Sequence, residues 1–197
     1  MTDRPHPGTG PGDGSGSSAN PLSPGSDSGA LERFLRGIAE YVFQARLGVV
    51  DVELIDYVGD LLLRFVRSDG LYTVRRRDGR PLTEVAAMLG EAHRREGTAR
   101  REVHRHIGDF TLFWSGMYPE ALRRQRTEDS VDAFLDYTRQ GKLAYGIAST
   151  IRGGRTQPRA ELLEHLSEEF EMCAYGMREI RRQWEENADE GGGLLLN

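Results

Sequence analysis

The sequence predicts an all-α fold, a single-domain bundle of six or seven helices behind a disordered N-terminal tail. Apolar residues recur with helical periodicity in every long segment, which gathers them on one face of each helix. The alternation of strand and helix that a parallel sheet requires is missing. Residues 1–29 are dominated by Gly, Pro, Ser and Asp, with Leu22 the only large aliphatic side chain after Met1. Such a segment buries too little apolar surface to offset its ordering entropy. The expected organisation is a tail over 1–29, a helical domain over 30–186 and a flexible C-terminal tail over 187–197.

Ser28 is the first candidate N-cap. Leu31, Phe34, Leu35, Ile38, Val42 and Ala45 give a helical face to about Leu47, and Gly48 breaks it. Asp51 can cap the next helix, where Leu54, Ile55, Val58, Leu61, Leu62, Phe65 and Val66 form the widest apolar face of the chain. Ser68-Asp69-Gly70 ends it. In residues 71–80, LYTVRRRDGR, the side chains of Leu71, Tyr72 and Val74 favour a strand and Asp78-Gly79 signals a turn. No second strand candidate is long enough for a sheet, so this stretch should be a short helix, an extended connector or at most a short hairpin. Leu82 and Thr83 stand at N′ and N-cap of a helix carrying Val85, Met88, Leu89 and Ala92. Gly97-Thr98 then reads as a stop and a new cap. The alternative is one helix through Gly97, because Arg100 and Arg101 sit badly in a first turn.

The stretch from Arg100 to Leu122 should hold the central helix. Val103, Ile107, Phe110, Trp114 and Met117 fall in one narrow stripe, while Leu112 lies on the far side. A helix apolar on more than one side is surrounded by others. Gly108 and Gly116 are poor helix formers, at about 1 kcal/mol each against Ala, and their place here is to let neighbouring helices approach. Pro119 ends the helix near Met117 and opens a short one to about Gln125. Asp129 or Ser130 caps a helix carrying Val131, Phe134, Leu135, Thr138, Leu143, Tyr145 and Ile147 to about Ser149. After a Gly153-Gly154 linker, Pro158 starts the longest helix, whose stripe runs from Leu163 through Phe170, Cys173 and Met177 to Trp184 and ends near Glu186.

The block HIGDFTLFWSG at 106–116, followed by Tyr118-Pro119-Glu120, resembles one found in helical bacterial proteins with no assigned activity. The resemblance covers this stretch and the Leu61–Leu89 region before it. It implies a helical fold and carries no catalytic residue to this chain.

A net charge of −5 and a pI of about 5.6 argue against general nucleic-acid binding. Twenty-five arginines stand against one lysine, Lys142. Codon bias of a GC-rich genome explains that ratio, although arginine forks also suit phosphate and carboxylate recognition. The single cysteine, Cys173, excludes an intramolecular disulfide and a Cys-built zinc site, and its place on a core edge makes it an inert small hydrophobe. The N-terminus lacks the apolar core of a signal peptide, and no run approaches the roughly 20 apolar residues of a membrane span. A cytoplasmic bacterial protein without a membrane segment is expected.

Two helices repeat a spacing, Glu102-x3-His106-x2-Asp109 and Glu161-x3-His165-x2-Glu168. Bundles that bind paired metals use inward carboxylates with Glu-x-x-His pairs, and neither segment contains that pair. His165 and Glu168 should face solvent, with Glu161 and His165 an exposed i,i+4 pair. His106 flanks the central stripe, so it must meet a polar partner or a cavity. The plainer expectation is a buried imidazole hydrogen-bonded across helices, with Asp109 paired to an arginine such as Arg105. The sharper one is a ligand pocket of Glu102, His106, Asp109 and Trp114. His104, on the opposite side, should be exposed. Arg152, Arg155 and Arg159 offer a weak anion cradle at the helix beginning near Pro158. No catalytic residue, metal or cofactor is expected. The chain reads as an interaction or scaffold module with a protein partner or a homo-oligomeric state. The alternative is a ligand- or metal-dependent helical enzyme centred on His106 and Asp109.

Overall fold

A computed structural model describes residues 25–67, 75, 83–125, 136–152 and 158–191. Among them are eight helices and no sheet: α1 (Gly25–Glu40), α2 (Val52–Val66), α3 (Val85–His93), α4 (Gly97–Met117), α5 (Pro119–Gln125), α6 (Tyr137–Thr150), α7 (Ala160–Glu168) and α8 (Phe170–Gly191). The all-α class is as expected. One helix more than seven arises because the expected C-terminal helix is two, meeting at Glu169. That junction seats the Phe170 ring over Gly141 of α6, where no Cβ would fit.

α4 is the axis of the bundle. Fourteen of its 21 residues are buried, charged and polar ones among them, because α2, α3, α5, α6 and α8 all pack on it. Leu112, off the main stripe, is as fully enclosed as Ile107. Two glycines set how near the neighbours come. A Cβ at Gly108 would lie 2.6 Å from the Tyr145 ring of α6, and one at Gly116 2.5 Å from Met177 Cβ of α8. Tyr118 ends α4 ahead of Pro119, which opens α5 as expected.

Several boundaries differ from the sequence expectation. α1 begins at Gly25, inside the segment assigned to the tail, and α8 runs to Gly191, past the expected fraying point at Asn187. The end of the first helical run is a π-helical turn, Tyr41–Arg46. Its wider register turns the adjacent Val42 and Phe43 both inward and leaves Ala45 outside. Phe43 then sits against Gly176 of α8. Asp51 caps α2 as predicted, its Oδ1 accepting from Leu54 N at 3.1 Å.

α3 and α4 are separate, but Glu84 and Glu96 hold the N-cap positions in place of Thr83 and Thr98. Asp136 caps α6 by accepting from Arg139 N at 3.1 Å, so that helix starts later than Asp129 or Ser130 would have set it. Asp129, Ser130, Val131, Phe134 and Leu135 lie outside the described residues. So do Leu82, Gly153, Gly154, Arg155 and all of 71–80 except Arg75, whose carbonyl accepts from Arg95 Nη2 at 2.8 Å. No described helix is long and apolar enough to cross a membrane.

Candidate functional site

The most elaborate polar constellation of the molecule centres on Asp109. α4 presents this carboxylate inside the bundle, with only 2% of the residue exposed. A buried charge is costly unless donors surround it, and here three helices supply them. Tyr57 Oη of α2 and Tyr145 Oη of α6 donate to Oδ1 at 2.5 and 2.8 Å. Arg105 Nη1, one turn earlier on α4, and Arg64 Nη2 of α2 donate to Oδ2 at 2.9 and 3.2 Å. An ionised carboxylate offers about four lone-pair sites, and four donors fill them. Glu102 completes the cluster, pairing with Arg105 Nη2 at 2.9 Å.

The electrostatics follow from burial beside a fixed charge. Burial and then the Asp109 charge push the Tyr57 and Tyr145 phenols above the ordinary tyrosine value. Burial works most strongly against the Arg105 charge, but Asp109, Tyr57 and Glu102 together outweigh it and raise the guanidinium further. The network thus holds both phenols protonated and both arginines charged.

The remaining expected site residues sit elsewhere. His106 does not acquire the cross-helix partner expected of it. Its ring stacks on Phe65 at 6.2 Å between centroids and 16° between planes, and it also meets Phe110. Its Nε2 is buried with no hydrogen-bond partner among the described residues. Burial, joined by the Arg105 and Arg64 charges against an opposing Asp109, pulls its pKa down to about 4. Burial among these rings favours the neutral imidazole. Trp114 belongs to the same aromatic row, 6.0 Å from Phe110 and 5.6 Å from Tyr118.

The four residues proposed as one pocket therefore divide. Glu102 and Asp109 join through Arg105, and His106 and Trp114 join through Phe110. No protein-family model, curated protein or solved structure matches this chain. The chemistry of each site rests on its own residues.

His104 corrects a second expectation, since it is 3% exposed rather than on the surface. Neither ring nitrogen has a partner among the described residues, and burial, aided by the Arg100 and His93 charges, lowers its pKa to about 4. His165 does not pair with Glu161. Its Nδ1 lies 2.8 Å from Asp51 Oδ2, tying α7 to the α2 cap. Cys173 is buried as expected, its thiol pushed up to about 12 by burial. Arg159 of the suggested anion cradle is paired with Glu53. No group of three or more His, Cys, Asp and Glu among the described residues is placed to hold a metal.

Two surface hollows open among the described residues, and neither is lined by Glu102, His106, Asp109 or Trp114. One, of about 270 Å³, opens where α4 and α5 meet the starts of α6 and α8. The other, about 290 Å³, is a groove along α6 lined by Leu143, Gly146, Ile147 and Thr150, with Lys142 and Ser167 at its edges. Sequence reasoning missed both. It also missed Tyr57, Arg64 and Tyr145 as partners of Asp109, because those contacts span 52, 45 and 36 residues.

Proposed function

We propose that this chain is a non-enzymatic helical interaction module that pairs with a second copy of itself along α6. The observation that carries the reading is the strip of Leu143 and Ile147, one helical turn apart and 50% and 36% exposed. Gly146, whose missing Cβ would lie 3.3 Å from Ser167 Oγ of α7, leaves the groove beside them open. The one charged residue lining the groove, Lys142, is held by both carboxylate oxygens of Glu171 at 2.9 Å. A strip with no unpaired charge is self-complementary about a two-fold axis, where Leu143 of one copy meets Ile147 of the other. Asp109, its lone pairs filled, serves on this reading as an anchor for α2, α4 and α6 rather than as a catalytic base.

Cysteine cross-linking tests the geometry. Cys173 is fully buried and leaves a quiet background for an Ile147→Cys variant. A short bismaleimide should convert that variant into a covalent dimer, whereas Asp56→Cys, on the exposed side of α2, should stay monomeric. Equal yields from both positions would mean random collision and remove the proposal.

A further inference from the structure

The hollow at the α4–α5 corner has the makings of a ligand site distinct from the α6 groove. Its most telling feature is Ser115. The residue is 8% exposed, and its Oγ is buried with no hydrogen-bond partner among the described residues. One turn earlier on α4, Thr111 meets the same problem by donating to the Ile107 and Gly108 carbonyls at 2.8 and 3.1 Å. Ser115 makes no such bond and lines the hollow instead. A buried hydroxyl left without a partner destabilises the fold, and a ligand atom accepting from it would remove that cost.

The charges around Ser115 are sorted by sign. Arg178 of α8 spends one donor on the Ser115 carbonyl at 3.2 Å and pairs with no carboxylate among the described residues. Its guanidinium also lies over the Tyr175 ring, 5.7 Å from the centroid, and lines the same hollow as Ser115, a fork suited to a carboxylate. Two turns back along α8 is Glu171, with Asp136 close enough for its charge to act on it. Among the described residues Lys142 is the one cation paired there, on Glu171, so two carboxylates stand against one ammonium. Seven residues of helix separate Glu171 from Arg178, about 10 Å of rise. Between them the floor is Ala174, facing Pro119 and Leu122.

We infer that this hollow binds a short zwitterion with a carboxylate at one end, an ammonium at the other and an apolar chain between. The carboxylate lies against Arg178 and the Ser115 hydroxyl, the ammonium against Asp136 and Glu171, and the chain over Ala174. Free ω-amino acids and dipeptides share this chemistry.

Calorimetric titration of the full chain with 6-aminohexanoate, hexanoate, hexylamine and alanyl-valine tests it. Either zwitterion should bind at least about tenfold more tightly than the singly charged analogues, and which one binds separates an amino acid from a peptide source. Arg178→Gln should weaken that binding roughly tenfold to a hundredfold, the range of a hydrogen bond to a charged group. Ser115→Ala should weaken it too, yet raise the thermal midpoint of the free protein by removing an unsatisfied hydroxyl, a result that also shows the variant folds. The inference is overturned if neither zwitterion binds, if hexanoate or hexylamine binds as well as the zwitterions, or if Ser115→Ala lowers the midpoint.

Discussion

Tyr145 of α6 rests on Gly108 of α4, next in the chain to Asp109. A Cβ at Gly108 would fall 2.6 Å from both Cδ1 and Cε1 of the ring, and the ring cannot swing aside without breaking its 2.8 Å bond to Asp109. Gly108→Ala should therefore destabilise the protein by about 1–3 kcal/mol, as overpacking does, even though Ala is the better helix former. Gly37, on the exposed side of α1 with nothing within 4 Å of its missing Cβ, is the control. Gly37→Ala should stabilise by roughly 0.5–1 kcal/mol. Urea denaturation of both variants reads the contrast, and two changes of the same sign would contradict it.

The Asp109 network should behave as one unit. Asp109→Asn strips the charge that two arginines and two phenols converge on, and breaking a buried pair in this way costs roughly 3–5 kcal/mol. Tyr57→Phe and Tyr145→Phe should each cost about 1–2 kcal/mol. Because both donate to Oδ1, their effects should not add, and the double variant should show a coupling of at least about 0.5 kcal/mol. Additive losses would mean that the two hydroxyls act separately.

Acid should weaken the fold through its two buried imidazoles. His104 and His106 both have pKa values lowered to about 4, against about 6.5 in an unfolded chain. Between these values the unfolded state holds more protons, so stability is complete above pH 6.5 and lost as pH falls toward 4. The loss is on the order of 3 kcal/mol for each imidazole. Thermal midpoints measured from pH 7.5 to 4.5 should fall, and His106→Phe, which keeps the stack on Phe65, should flatten the fall. An unchanged slope in that variant would place the proton uptake elsewhere.

Alkali has a parallel effect with the opposite sign. The Tyr57 and Tyr145 phenols are raised by burial and by Asp109. Their contribution is present below the ordinary tyrosine value near 10 and is lost as pH climbs toward their folded values. Spectrophotometric titration should show two of the seven tyrosines ionising only together with unfolding. Smooth titration of all seven in the folded state would refute the buried network.

What the sequence made legible was whatever helical spacing controls. The stripe from Val103 to Met117, the Asp51 cap, the Pro119 restart and the pairing of Arg105 with Asp109 four residues on all follow from local geometry. What it hid depends on contacts distant along the chain. The π-turn at Tyr41–Arg46 places Phe43 on Gly176, 133 residues away, and nothing near Phe43 announces it. His104 looks exposed when a single stripe is drawn on α4, because that drawing omits α3 and α6 on the other sides. The hollow at Ser115 exists only where four helix ends meet, and periodicity carries no information about such a corner.

The measurement that bears most directly on the proposed module is its molar mass in solution. Multi-angle light scattering across a hundredfold range of concentration should show the 22.1 kDa chain rising toward twice that mass. Leu143→Glu and Ile147→Glu, which place a charge on an apolar strip without touching the buried core, should hold it at the single-chain mass with an unchanged melting temperature. A wild-type chain that stays monomeric throughout, or a dimer that survives both substitutions, would contradict self-pairing along α6.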